Sequence, residues 1–224
     1  MMRLGSDLPQ ITEQNGLAAF DVDKTLVDVH CCTQFLVQLF GKRRYIGALQ
    51  RAALEHRFRP SQRDAVKLSL LRNLLGGFDA HVFAEAAEEF SLWIEERLDP
   101  RSLHRLRTHQ DVGHRVMLVS ASLGAYLRPM GRRLGVDHVC AVEMVESDGR
   151  LTGAVVGGCN LTRGAKAAAV RDFLGASSIS REEITIWAYG DSAGDAELLR
   201  FADWPIWVRL KSDTWGRCPA PGRS

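Results

Sequence analysis

Four short clusters in this chain hold residue types that can do chemistry on phosphorus. The first is Asp21-Val22-Asp23-Lys24-Thr25, directly after the apolar run Leu17-Ala18-Ala19-Phe20. One carboxylate of such a pair can attack phosphorus and form an aspartyl-phosphate. The other can protonate the leaving group and then activate water. Oxygen ligands this close also invite a hard cation, and Mg²⁺ suits a site that must hold phosphate as well. As a bare pattern, the same residues describe an acidic loop.

The second cluster is Tyr189-Gly190-Asp191-Ser192-Ala193-Gly194-Asp195, again after an apolar run. Gly190 lets the backbone turn closely. Asp191 can share a cation with Asp21, and Asp195 can orient the ligands around it. Asp191 or Ser192 also suits the N-cap of a following helix, and the two roles are compatible.

The third is Ser120-Ala121-Ser122 after Val116-Met117-Leu118-Val119. A hydroxyl at the end of a strand, such as that of Ser120, can donate to a phosphate oxygen, with the backbone N–H groups around Ala121 alongside. Ser122 reads as the N-cap of a helix over 123–134. The fourth is Lys166, near the start of a helix over 163–174 that Thr162 could cap and Gly175 could end. A cation there opposes the helix dipole. It can neutralise the aspartates and a phosphoryl group, although a single lysine reads most plainly as solvated.

These residues must be held by elements that the hydrophobic pattern also predicts. Residues 17–20, 116–119, 184–188 and 205–208 read as strands, with helices over 102–109, 123–134, 163–174 and 193–201. Residues 139–145 and 151–156 flank Ser147-Asp148-Gly149-Arg150, which has the turn chemistry of a hairpin. Between Cys32 and Leu98 the texture changes. Phe35, Leu36, Leu39 and Phe40 recur at helical spacing, as do Val66, Leu70, Leu71 and Leu74, and then Phe83, Ala86, Ala87, Phe90 and Ile94. This stretch reads as a helical insert. The fold class is therefore α/β, a parallel sheet with ligands at the carboxyl ends of its strands.

Composition narrows the function classes. At 46% hydrophobic and 25% charged residues over 224 positions, the chain can build an ordinary globular core. A formal charge of +2 argues against nucleic acid as the main partner, despite a basic patch at Lys42-Arg43-Arg44 with Arg51, Arg57, Arg59 and Arg63. Cys31, Cys32, Cys140, Cys159 and Cys218 show no CxxC spacing and read as free thiols of a reducing compartment. Residues 1–14 carry no apolar signal core, and no apolar run is long enough to span a bilayer. A cytoplasmic protein is expected. The residues after about 212, with Pro219, Pro221 and Gly222, read as a frayed tail.

In order, the four clusters resemble the motifs of the haloacid dehalogenase superfamily, over about Leu17 to Val208. Asp21, Asp23 and Thr25 match its first motif, Ser120 its second, Lys166 its third, and Asp191 with Asp195 its fourth. The hairpin Ser147-Asp148-Gly149-Arg150-Leu151-Thr152-Gly153 resembles the phosphoserine phosphatase-like branch. The resemblance implies a Rossmann-like core of residues 1–31 and 99–224, with a small α-helical cap over 32–98. It implies Asp21 as nucleophile and Asp23 as general acid/base. Mg²⁺ would be held by the Asp21 carboxylate, the Asp23 main-chain carbonyl and Asp191, with Asp195 in support. The phosphoryl group would be bound by Thr25, Ser120, Ala121 and Lys166.

Two departures bear on the substrate. Phosphoserine phosphatases commonly carry a Glu shortly after the first motif, where this chain offers Asp28 and His30. They also usually carry Ser-Gly-Gly where this chain has Ser120-Ala121-Ser122. The segments 187–192 and 203–208 resemble a sister group that includes phosphatidylglycerophosphate phosphatases. The expected substrate is a small phosphometabolite or a lipid phosphate, the latter met by peripheral membrane contact. A phosphotransferase or phosphomutase using the same aspartyl-phosphate, and a non-catalytic phosphate-binding protein, are the competing readings.

Overall fold

Strand β1, Gly16–Phe20, is buried along its whole length, and its side chains alternate between two cores. Ala18 and Phe20 join one apolar cluster, Leu17 and Ala19 the other. This is the period of two expected for a strand covered on both faces. The computed structural model describes residues 10–11, 15–57, 62–158, 160–211 and 215–217. Arg59, Cys159, Cys218 and nearly all of the segment read as a tail lie outside the described residues.

The elements that follow are α1 (Cys31–Phe40), α2 (Lys42–Glu55), α3 (Arg63–Leu75), α4 (Ala80–Glu95), α5 (Pro100–Asp111), β2 (Arg115–Leu123) and α6 (Gly124–Leu134). Then come β3 (His138–Val142), β4 (Met144–Ser147), β5 (Arg150–Val155), α7 (Gly164–Ala176), β6 (Thr185–Gly190), α8 (Ala196–Phe201), β7 (Trp204–Trp207) and β8 (Gly216–Arg217). The main sheet has the order β3-β2-β1-β6-β7-β8. Its first five strands are parallel and β8 runs antiparallel beside β7. The fold is the α/β class that the pattern predicts.

One face of the sheet is covered by α7 and α8, through Val170, Leu174, Leu198 and Leu199. The other carries a continuous core that runs from Phe20 and Leu118 into Phe35, Leu71, Phe83, Phe90 and Tyr126. The helices between β1 and α5 therefore share this core with the sheet. Phe35 on α1 packs against Phe83 and Phe90 on α4 and Tyr126 on α6, with ring centroids 5.2–5.6 Å apart.

Several sequence expectations are corrected. The strand read over 139–145 is two elements: β3 pairs parallel with β2, and only β4 pairs with β5 in the hairpin. Asp148 and Gly149 at its tip have φ of 52° and 72°, the left-handed pair that a two-residue turn requires. Helix α2 has no counterpart among the three predicted stripes. It buries only Ala48 and Ala52, too narrow an apolar stripe to stand out. Helix α5 starts earlier than the 102–109 read from the pattern: Asp99 accepts from the N–H groups of Arg101 and Ser102, and Pro100 takes the first helical position. Gly175, read as the end of α7, lies inside it. Among the described residues, no helix is long and apolar enough to cross a membrane.

Candidate active site

Three parallel strands set out the polar residues. Phe20 pairs with Leu118 on β2 and with Tyr189 on β6. Asp21 is therefore one residue beyond its pairing position, and Ser120 and Asp191 are each two beyond theirs. The Asp21 N–H donates to the Tyr189 carbonyl at 2.9 Å, which extends the β1–β6 pairing to Asp21 itself. After Asp21 the chain turns tightly. The N–H groups of Thr25, Leu26 and Val27 all donate to the Val22 carbonyl, and Lys24 takes a φ of 60°. That turn sends the Asp23 side chain back toward β2.

The Asp21 carboxylate is 4% exposed. Lys166 Nζ donates to its Oδ1 at 2.6 Å, and the Thr25 hydroxyl donates to its Oδ2 at 3.2 Å. Lys166, on the first turn of α7, is itself buried and donates equally to Asp195 Oδ1 at 2.5 Å. Its place against the helix dipole is thus offset by two carboxylates. Burial pulls the Lys166 pKa down, but Asp21 and Asp195 outweigh it and hold the ammonium above the ordinary lysine value.

Asp195 is fully buried, and both of its oxygens are taken. Oδ1 faces Lys166, and Oδ2 accepts from the N–H groups of Asp191 and Ser192 and from the Ser192 hydroxyl. Gly190 is needed for this fit, because a Cβ there would lie 2.6 Å from the Asp195 Cβ. Ser192 caps the short turn over 193–195 through the Gly194 N–H. Asp191 is half-buried and borders a cavity of about 570 Å³ together with Lys24, Asp28, Trp207, Arg209 and Lys211. Its carboxylate is thus reachable from solvent, whereas those of Asp21 and Asp195 are not.

Carboxylate oxygens of Asp21, Asp191 and Asp195 lie within 4.8 Å of one another. Three carboxylates face one ammonium, and the excess negative charge is felt. Burial, with the neighbouring aspartates, pushes Asp21 up to about 7 and Asp191 up to about 6. Such an oxygen-rich, electron-rich cluster fits a hard divalent cation.

Asp23 stands apart from this cluster. Its Oδ1 accepts from the Ser122 hydroxyl at 2.8 Å and its Oδ2 from the Cys31 N–H at 3.0 Å. The His30 ring is 4.0 Å away and mostly exposed, and Asp28 pairs instead with Lys24 at 2.8 Å. Ser122 is therefore not the N-cap of α6, which is Leu123 without a side-chain cap. The strand β2 runs on through Ser120 and Ser122 to Leu123. Ser120 is 1% exposed, and its Oγ accepts from the Ser122 N–H.

The pattern of the sequence misses a second polar group, delivered by α3. Lys67 donates to the Ala121 carbonyl and to Asn160 Oδ1, and Asp64 accepts from Asn160 Nδ2 and the Thr162 hydroxyl. Thr162 therefore binds Asp64 rather than capping α7, whose N-cap is Arg163. Asp64 and Lys67 are three apart and so share a helix face, but their spacing alone does not name a partner nearly a hundred residues away. The link from Ser122 to Asp23 does leave a trace: Ser120 and Ser122 are two apart, and share a face once the strand extends through them.

The sequence and the fold both have matches among known proteins. The model of the haloacid dehalogenase-like hydrolases matches residues 18–200. The chain belongs to this family. It is 33% identical over 185 residues to the phosphoserine phosphatase SerB2 of Mycobacterium tuberculosis, covering 82% of this chain and 41% of that protein. It is 30% identical over 197 residues to the protein CicA of Caulobacter vibrioides, covering 84% of this chain and 83% of CicA. The chain thus spans less than half of the first relative and most of the second. A structure of a protein of unknown function from Bordetella pertussis Tohama I superposes with a TM-score of 0.71 at 26% identity, covering 87% of this chain and 90% of that one. Within this haloacid dehalogenase-like frame, the family motifs occupy one end of the sheet, where open α/β sheets bind their ligands.

Proposed function

We propose that this protein is a Mg²⁺-dependent phosphomonoester hydrolase that works through an aspartyl-phosphate on Asp21. The observation that carries the reading is the pairing of two carboxylates with opposite surroundings, two residues apart. Asp21 is buried against an ammonium, and Asp23 is part-exposed and held by a hydroxyl and an N–H. A nucleophile must be charged and oriented, whereas an acid/base must exchange protons with substrate and water.

In the first step an Asp21 oxygen attacks phosphorus, the bond to the ester oxygen breaks, and Asp23 gives its proton to the leaving alkoxide. In the second, Asp23 takes a proton from water as the water oxygen attacks phosphorus. The bond to Asp21 breaks, and inorganic phosphate leaves. Lys166, Ser120 and the N–H groups around Ala121 bind the phosphoryl oxygens, with Thr25 steadying the attacking Asp21 carboxylate. Preorganised donors in a buried site are worth more than the same donors in water. The cation would be held by Asp21, Asp191 and the Asp23 main-chain carbonyl, and when bound it neutralises phosphoryl charge. Asp195 orients Lys166 and the Asp191 loop.

The helical segment acts as a cap over residues 32–98. Its contacts through Asp64 and Lys67 support a closed arrangement that excludes water from the first step. The substrate is a phosphorylated small molecule, and the name of the SerB2 relative makes phosphoserine the first to try. The test is Mg²⁺-dependent phosphate release from phosphoserine, sugar phosphates, nucleotides and detergent-dispersed phosphatidylglycerophosphate, beside Asp21→Asn. Turnover of one compound, absent in the variant, is the expected result. Turnover that survives in Asp21→Asn would overturn the mechanism.

A further inference from the structure

We propose that Ser122 is a positioning residue for proton transfer: it and the Cys31 N–H together fix the Asp23 carboxylate in the orientation that serves the leaving group. The inference deepens the hydrolase reading and rests on it. The geometry is that of a two-point clamp. Ser122 Oγ–H reaches Oδ1 at 2.8 Å from the end of β2, and the Cys31 N–H reaches Oδ2 at 3.0 Å from the start of α1. The two donors approach different oxygens from different elements, so they fix the rotation of the carboxylate as well as its place.

The two donors are not equivalent. A backbone N–H can only donate, so Oδ2 must keep a lone pair toward Cys31 in every protonation state. A hydroxyl can donate or accept. Ser122 can therefore donate to the Asp23 carboxylate and accept from the Asp23 carboxylic acid by rotating one bond. The proton that Asp23 gives up and takes back is thereby confined to the Oδ1 side or to the remaining lone pair of Oδ2. Ser122 is 2% exposed, so its hydroxyl is shielded from bulk water. Alanine at this position would leave Oδ1 without its donor, so that Asp23 is held from the Cys31 side alone.

The proton matters unequally for different leaving groups. An alkoxide must be protonated as it departs, and general acid catalysis typically contributes about 10²–10⁴-fold. p-Nitrophenolate leaves without help. Water attack in the second step needs Asp23 as a base whatever left in the first. Ser122→Ala is therefore expected to slow aspartyl-phosphate formation from an alkyl phosphate by about 10-fold or more, within the range for a displaced catalytic group. With p-nitrophenyl phosphate it is expected to leave the first step within about 2-fold and slow only the second, so that nitrophenol appears as a burst and then at a slowed steady rate.

The experiment is rapid-mixing kinetics of wild type, Ser122→Ala and Ser122→Thr with Mg²⁺, on p-nitrophenyl phosphate and on the best alkyl ester of the substrate panel. Ser122→Thr keeps the hydroxyl and is expected to restore the alkyl ester rate. If Ser122→Ala fails to fold by circular dichroism, Ser122→Cys keeps the volume with a weaker donor, and the same contrast is read from it. Equal slowing of the first step for both esters, or no rescue by Ser122→Thr, would overturn the positioning role while leaving the hydrolase reading intact. Failure of the wild type on every ester would overturn the hydrolase reading, and this proposal with it.

Discussion

Lys166 Nζ lies 2.6 Å from Asp21 Oδ1 although the two residues are 145 apart in sequence, and both are buried. The same ammonium is shared with Asp195 at 2.5 Å. Removing one partner of a buried ion pair typically costs about 3–5 kcal/mol, because the other charge is left without compensation. Lys166→Met should therefore be destabilised by about that amount at neutral pH. The loss should shrink in acid, where Asp21 takes up a proton instead. Urea midpoints at about pH 5 and about pH 8 test this. A variant equally destabilised at both would mean that lost packing, not stranded charge, is the cost.

Cation binding should depend on pH in a set direction. Burial and the neighbouring aspartates raise Asp21 to about 7 and Asp191 to about 6, both above the ordinary 3.8. The folded state then holds protons that the unfolded chain has lost, so this contribution to stability falls as pH rises from about 4 to 7. A divalent cation competes with those protons. The gain in Tm on adding Mg²⁺ should therefore grow between about pH 5 and 8. Asp191→Asn should raise the Mg²⁺ needed for half-activity. An unchanged metal titration in that variant would remove Asp191 from the set of ligands.

A separate acid sensitivity is expected from the core. His109 is fully buried, with Nδ1 2.8 Å from His114 Nδ1 and Nε2 2.8 Å from the Tyr189 hydroxyl, which also accepts from Arg105. Burial, with His114 and Arg105 nearby, lowers its pKa from 6.5 to about 2. Below pH 6.5 the unfolded chain gains a proton that the folded state refuses, so stability falls by up to about 1.4 kcal/mol per pH unit from this group. His109→Gln should flatten the slope of stability against pH between about 6.5 and 4 by up to one proton. An identical slope would place the acid sensitivity elsewhere.

Phe35 ties three helices together and is 1% exposed. Phe35→Ala should cost about 3–5 kcal/mol, the usual range for deleting a buried ring. Because the core is continuous from the sheet into α1 and α4, unfolding should remain a single transition by circular dichroism and tryptophan fluorescence. Two separated transitions would show that the helical segment unfolds on its own.

The strands are legible because β1 and β6 are short, largely apolar runs, and because each is followed directly by an aspartate. Asp21 and Asp191 announce themselves in that way. So does the order of the motifs, which needs no tertiary information. The three stripes of α1, α3 and α4 are broad enough to read, whereas α2 escapes because two alanines suffice to seat it. The extent of β2 was hidden as well, because Ser120 and Ser122 look like the end of a strand and the start of a helix. In the fold, the neighbouring β3 pairs with Leu123 and keeps the chain extended.

The order of residues carries the set of chemical groups, their succession, and the alternation of strands and helices that sends their ends to one side. Local spacing could do no more, because a residue's partner across the sheet is chosen by strand order. Folding in three dimensions is what sets Ser122 against Asp23, brings Asp64 and Lys67 on α3 to Asn160, and shares Lys166 between two carboxylates. Those contacts link residues 29 to 145 positions apart. Parallel pairing of β1 with both β2 and β6 brings the Asp21, Ser122 and Asp191 segments to one end of the sheet, and α3 and α7 add their side chains to it.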